Sequence, residues 1–107
     1  MSSQPPDPVA RLIRAANDHD TEVFLASFTE DGVVDDWGRE FAGAAAIRAW
    51  SDQEFIGVGV VLELTDTATA EHETTISAEV GGDGYNGPSH FTFTLRDGLV
   101  SRMTIRE

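Results

Sequence analysis

The sequence predicts an α+β fold in which three N-terminal helices cover one face of a curved antiparallel sheet. Three observations carry that prediction. The chain has 107 residues, the size of one ordinary core and too short for two. Apolar residues recur at helical spacing in its first half, around Leu12 and Ile13 and again around Ile47 and Trp50. From Phe55 to the end the period changes to two, in runs rich in Val, Ile, Thr and Phe separated by turn residues.

Met1 to Pro8 is rich in Ser, Gln and Pro, with no basic stretch followed by an apolar one. It reads as a frayed leader over residues 1–7 and not as a signal peptide, so a single domain over 8–107 in the cytoplasm is the expectation. Asp7-Pro8 pairs a good N-cap residue with the residue favoured at the first helical position, and Val9, Leu12, Ile13 and Ala16 then mark a helix over about 8–17. Asp20 caps a second helix whose buried side is Val23, Phe24 and Phe28. Val33 to Trp37 reads as a strand that turns at Gly38 and returns through Arg39 to Phe41. Ala44 to Glu54 suits a third helix burying Ile47 and Trp50. Four strands follow as a meander: Ile56 to Asp66, Thr69 to Val80, Pro88 to Arg96 and Leu99 to Arg106, the last after an Asp97-Gly98 turn. The Gly57-Val-Gly59 stretch lacks the strand-then-helix setting of a phosphate loop and is expected to mark strand curvature.

Nineteen acidic residues stand against seven basic ones, all of them Arg, for a formal charge of −12. Such a surface disfavours nucleic acid and anionic membranes. No apolar run approaches the roughly 20 residues that a membrane helix needs. With no cysteine there is no disulfide and no thiolate chemistry. His72 lies between Glu71 and Glu73, but alternation sends the His and its neighbours to opposite sides of a strand, so a solvated hairpin tip is the reading and no metal is expected. His19 belongs to the loop between the first two helices.

Strand parity divides the sheet into two faces. Ser89, Phe91, Phe93 and Leu95 share one side, and His90, Thr92, Thr94 and Arg96 the other. The phenylalanine side is the expected core; the threonine side is expected to meet water or a second copy in a homodimer. His90 falls on that second side and cannot act with adjacent Ser89 as a nucleophile pair. Asp35 and Asp36 point to opposite faces for the same reason. Parity with Val34 selects Asp36 as the carboxylate facing a core pocket, where desolvation among Trp and Phe side chains suits a general acid/base; the alternative is a pair of solvated carboxylates assisting the turn.

Phe28-Thr-Glu-Asp-Gly-Val-Val-Asp-Asp36, Phe41-Ala-Gly-Ala-Ala-Ala-Ile47-Arg48 and Gly87-Pro-Ser-His-Phe-Thr-Phe93, followed by Asp97-Gly98 and Arg102-Met103, together resemble the nuclear transport factor 2-like superfamily. The likeness is to its branch of SnoaL-like polyketide cyclases and ketosteroid isomerases, and it spans nearly the whole chain. The resemblance implies a conical fold around a mostly apolar pocket, commonly in a homodimer. It places Asp36 where the isomerases keep a proton-shuttling carboxylate. It also places Leu12 at the position of the family's oxyanion-hole tyrosine, and Ser89 at that of its neutral, proton-donating aspartic acid.

The expected function is therefore that of a small-molecule pocket protein: a proton-transfer isomerase or cyclase acting without a cofactor on a neutral, apolar cyclic or carbonyl compound, with Asp36 as general acid/base. The alternative is a ligand-binding or dimerisation module of the same fold without chemistry. Trp37, Trp50, Phe55, Tyr85, Ser89, Phe91 and Met103 are the candidates for shaping the cavity. The two tryptophans serve equally well as plain core. Tyr85, in the run Gly81 to Gly87, is either a replacement phenolic donor or an exposed turn residue. Arg39 is expected near the pocket rim, holding a ligand group or pairing with Asp35 or Glu40; Arg48 is expected to be exposed on helix three.

Overall fold

The computed structural model describes residues 5–106. Helix α1 spans Asp7–Asn17 and α2 Thr21–Ala26; strand β1 runs Phe28–Asp36 and β2 Arg39–Ala42; α3 covers Ala44–Glu54 and leads into a single 3-10 turn, Ile56–Val58. Strands β3 (Val61–Thr69), β4 (Glu73–Gly81), β5 (Gly87–Arg96) and β6 (Leu99–Arg106) complete the chain. They form one six-stranded sheet of order β2-β1-β6-β5-β4-β3. Every neighbouring pair is antiparallel except β1 and β6, which run parallel, so the sheet is mixed. It is also open, with β2 and β3 as its edges, and the helices cover its inner face.

Several local expectations shift. Asp7 lies inside α1 and Pro6 precedes it, with no side chain capping the helix. Residues 1–4 of the expected leader lie outside the described residues. Asp20 does cap α2, its Oδ1 accepting from the Val23 amide at 3.2 Å, but Phe28 opens β1 instead of ending that helix and Val23 is exposed. Trp37 leaves the strand: it and Gly38 have φ of 56° and 91°, the pattern of a type I′ hairpin turn. Gly57 to Gly59 is not curved strand. The β-branched run after Phe55 invites a strand reading, yet α3 ends in a close turn that packs Gly57 on its last residues, where an added Cβ would lie 1.7 Å from the Asp52 carbonyl oxygen.

Parity along the strands holds. Phe91, Phe93, Ile76, Ala78, Val34, Met103 and Ile105 are buried on the inner face beneath Val9, Leu12, Phe24 and Ile47 from the helices. Phe24 meets Phe28 edge to face with centroids 5.3 Å apart and lies 5.6 Å from Phe55. Each fully buried side chain of this size contributes about 1.5–3 kcal/mol by removal from water. Two further ties fasten the α1–α2 connection to the start of β3. Asn17 bonds both the amide and the carbonyl of Leu62, at 2.7 and 3.0 Å, and His19 Nε2 donates to the Val60 carbonyl at 2.9 Å.

On the outer face register aligns Asp35, Thr104, Thr92 and Thr75 across four strands. Asp35 is only 7% exposed. It accepts from both Nη atoms of Arg106, at 3.1 and 3.2 Å, from Arg102 at 2.8 Å, and from the Gly38 amide at 2.8 Å. The hydrogen bonds of Arg106 chiefly hold its carboxyl down at about 2, against an ordinary value of 3.8, with Gly38 and Arg102 assisting and burial opposing. A carboxyl depressed in the folded state adds stability above its unfolded value and loses it as pH falls through the folded one. Both arginines are partly exposed, so screening leaves a contribution of about 1–2 kcal/mol. Urea unfolding of wild type and Asp35→Asn across pH 6 to pH 2 is therefore expected to show the wild-type advantage intact above about pH 4 and vanishing toward pH 2; parallel curves at all pH values would contradict it.

Candidate functional site

The open end of the cone, where β1 and β6 finish and β5 begins, contains a cavity of about 340 Å³. That volume suits a small ring compound. Its floor follows from register: Asp36 lies beside Ile105, and Ile105 opposite Phe91, all on the inner face. Ser89 and Val80 extend the floor toward β4. One wall is a face of α3, Trp50, Gln53 and Glu54 at helical spacing, continued by Phe55 and Val58. Trp37 and the Gly84-Tyr85 tip form the rim.

Asp36 is the best-connected side chain of this wall. Its Oδ2 accepts from Trp50 Nε1 at 3.0 Å and from Arg39 Nη2 at 2.6 Å. The same Arg39 reaches Glu54 with both terminal nitrogens, at 2.7 and 3.1 Å. Arg39 thus pairs with Asp36 and Glu54, and not with Asp35 or Glu40 as expected from sequence; Arg102 takes both of those carboxylates. The pairing holds the Glu54 carboxyl below its usual value and keeps Arg39 firmly protonated, Glu54 acting on it more strongly than Asp36. Asp36 is consequently no lone carboxylate in an apolar pocket. Its side chain is 15% exposed, one oxygen is fixed by two donors, and Oδ1 has no hydrogen-bond partner among the described residues.

The aromatic residues differ in role. Trp50 is buried in a stack with Phe55, centroids 4.9 Å apart, and its ring centroid lies 6.1 Å from that of Phe41. Trp37 is 53% exposed, in a left-handed conformation that costs a bulky residue roughly 1–2 kcal/mol. The Gly38 amide bond to Asp35 secures that turn. Tyr85 is also exposed, and its hydroxyl donates to the Pro88 carbonyl at 2.8 Å, which leaves the ring and not the phenol for a ligand. Its loop docks on the 3-10 turn through the Asp83 amide and the Val58 carbonyl, 2.8 Å apart. Glycine is required there: at Gly82, φ 120°, a Cβ would stand 2.6 Å from the Gly59 carbonyl oxygen.

Of the residues expected at the site, Asp36, Trp37, Trp50, Phe55, Tyr85, Ser89 and Phe91 border this cavity. Met103 does not. It is fully buried in register with Val34 and Phe93, deeper in the core. Ser89 Oγ has no hydrogen-bond partner among the described residues although the residue is buried. Leu12 is core in α1 and offers no polar group. Gln53, Glu54, Val58, Val80, Gly84 and Ile105 were not anticipated; the i, i+3, i+4 spacing from Trp50 was the available signal for the first two. His90 and His72 are exposed, and Arg48 pairs with Glu22 at 2.7 Å outside the cavity. Among the described residues no cluster of three metal-ligating side chains occurs, and no helix is long and apolar enough to cross a membrane.

A family model described as SnoaL-like domain matches residues 9–103. Among solved structures the chain is similar to a candidate polyketide cyclase from Sinorhizobium meliloti, with 26% identity, a TM-score of 0.84 and 95% of each chain covered. It also resembles a hypothetical protein with a ketosteroid isomerase-like fold from Catenulispora acidiphila, in complex with trimethylamine. Identity there is 19% and the TM-score 0.82, over 97% of this chain and 87% of that one. A third likeness, at 16% identity and a TM-score of 0.83, is to the canthaxanthin-binding orange carotenoid protein of Anabaena, covering 98% of this chain and 37% of that one. Comparison with the curated proteins finds no match. By its match over most of its length, the chain belongs to the SnoaL-like domain family of the nuclear transport factor 2-like superfamily.

Proposed function

We propose that this chain is a small-molecule pocket protein of the proton-transfer type, an isomerase or cyclase in which Asp36 takes and returns a proton on a largely apolar ring or carbonyl compound. One observation supports the reading above the others: Asp36 borders the cavity with one carboxylate oxygen clamped by Arg39 and Trp50 and the other without a partner among the described residues. A positioned carboxylate of that kind is what general acid/base catalysis needs, because geometry precedes proton affinity in deciding a base. The names of the fold neighbours point the same way, toward cyclase and isomerase-like proteins and toward apolar ligands. A second reading, binding without turnover, has its own observation. Leu12 is apolar core and the Tyr85 hydroxyl is engaged, so Ser89 is the one unengaged hydroxyl in the buried wall to steady a developing oxyanion.

Deuterium incorporation from D2O into a panel of small ring ketones, cyclohexanone to tropinone, separates the two. Catalysis by Asp36 predicts accelerated α-exchange in wild type, reduced roughly 10²- to 10⁴-fold in Asp36→Asn with thermal unfolding unchanged. Exchange that survives the substitution at full rate would remove Asp36 from the mechanism.

The outer sheet face is proposed as a homodimer surface. Small half-buried Thr75, Ser77, Thr92 and Thr104 make it flat, with Arg102 and Arg106 along β6 on one side and Glu73 and Glu79 along β4 on the other. A two-fold axis near β5 would lay each basic strand over the partner's acidic one. Light scattering at micromolar concentration is expected to give twice the chain mass of 11.6 kDa, and a monomeric mass would exclude the dimer.

A further inference from the structure

We propose that the ligand this cavity takes is a ring compound carrying a protonated amine, so that the compound is cationic and not the neutral one expected from the sequence. The inference rests on the reading of the cavity as a ligand site; it does not depend on whether Asp36 turns the ligand over.

Charge is the first argument. Among the described residues the cavity wall contains two carboxylates, Asp36 and Glu54, and no cationic side chain. Arg39 bonds both of them from outside that wall, so the cluster carries one uncompensated negative charge. A partly enclosed apolar space strengthens the pull of that charge relative to water. The whole chain, at −12 and without lysine, adds a long-range field of the same sign that concentrates cations and repels anions.

Hydrogen-bond polarity is the second. Trp50 Nε1 is engaged by Asp36 and the Tyr85 hydroxyl by Pro88. Among the described residues the remaining unengaged side-chain donors of the wall are Gln53 and Trp37, both exposed, and the Ser89 hydroxyl. Asp36 Oδ1, by contrast, is an acceptor with no donor among the described residues. The buried part of the wall therefore offers a carbonyl the Ser89 hydroxyl alone, whereas an ammonium N–H supplies the donor that Oδ1 lacks.

Ring faces are the third. Trp37 and Tyr85, both exposed, border the space at its rim, and the negative faces of aromatic rings attract the methylene and methyl groups flanking a positive nitrogen. Carboxylate and rings act together on one kind of ligand: an ammonium at Asp36 attached to an apolar ring that fills the remaining volume.

Isothermal titration calorimetry near neutral pH and low salt, with three probes of similar size, tests this. The probes are benzyldimethylamine, which is protonated; N,N-dimethylbenzamide, a neutral carbonyl compound; and phenylacetate, an anion. Benzyldimethylamine is expected to bind roughly tenfold or more tightly than dimethylbenzamide, with phenylacetate weakest. Most of that preference should disappear in Asp36→Asn, whose fold is checked by thermal unfolding. Equal or tighter binding of dimethylbenzamide would overturn the inference while leaving the ligand cavity standing. An amine preference undiminished in Asp36→Asn would overturn it too, by assigning the preference to the acidic surface at large. If none of the three probes binds, the cavity reading falls and the inference with it.

Discussion

The pleat of β1 is the constraint on which the rest of this molecule depends. Because successive strand residues face opposite ways, Asp35 and Asp36 become two different groups within one dipeptide. Asp35 turns outward into a bed of arginines and a turn amide, where its charge is fully matched. Asp36 turns inward to the cavity, where a single arginine is shared with a second carboxylate. The outer carboxylate secures the hairpin; the inner one borders the cavity.

The two roles are mechanically linked. Asp35 holds the Gly38 amide, and that bond supports the turn in which Trp37 adopts its left-handed conformation at the cavity rim. Arg39, the next residue, leaves the turn already directed at Asp36 and at Glu54 on the last turn of α3. The hairpin and the helix are thereby joined across the mouth of the cavity by charge-assisted hydrogen bonds, which are stronger than neutral ones. The Trp50 indole adds a second tie from the same helix to the same carboxylate oxygen. The position of Asp36 is thus a consequence of how β1, β2 and α3 are fastened to one another.

Most of the fold was legible in the sequence because it rests on period and parity. The alternation of Phe91 and Phe93 with His90 and Thr92 assigns the inner face unambiguously, and the choice of Asp36 over Asp35 needed only Val34 as a reference. What escaped was non-local or overrode a local preference. The run Ile56 to Val60 has strand propensity, but the end of α3 and Gly59 bend it into a 3-10 turn before β3 starts at Val61. The parallel contact of β1 with β6 joins chain segments some seventy residues apart, and no turn signal announces it. Arg39 was given the wrong partners, since Glu54 comes within its reach only once α3 has packed beside the hairpin. Met103 has the right parity for the inner face, yet register sets it deeper than the cavity.

The account turns on Asp36, and not its neighbour, being bound to the Trp50 indole. The chain has two tryptophans, so a proton–nitrogen correlation spectrum contains two indole signals, assignable with Trp37→Phe. Loss of an ionic acceptor moves an indole N–H signal upfield. The prediction is that Asp36→Ala shifts the Trp50 signal upfield while Asp35→Ala leaves it in place. A Trp50 signal that responds to Asp35→Ala, or to neither substitution, would contradict the inward placement of Asp36 and the site built on it.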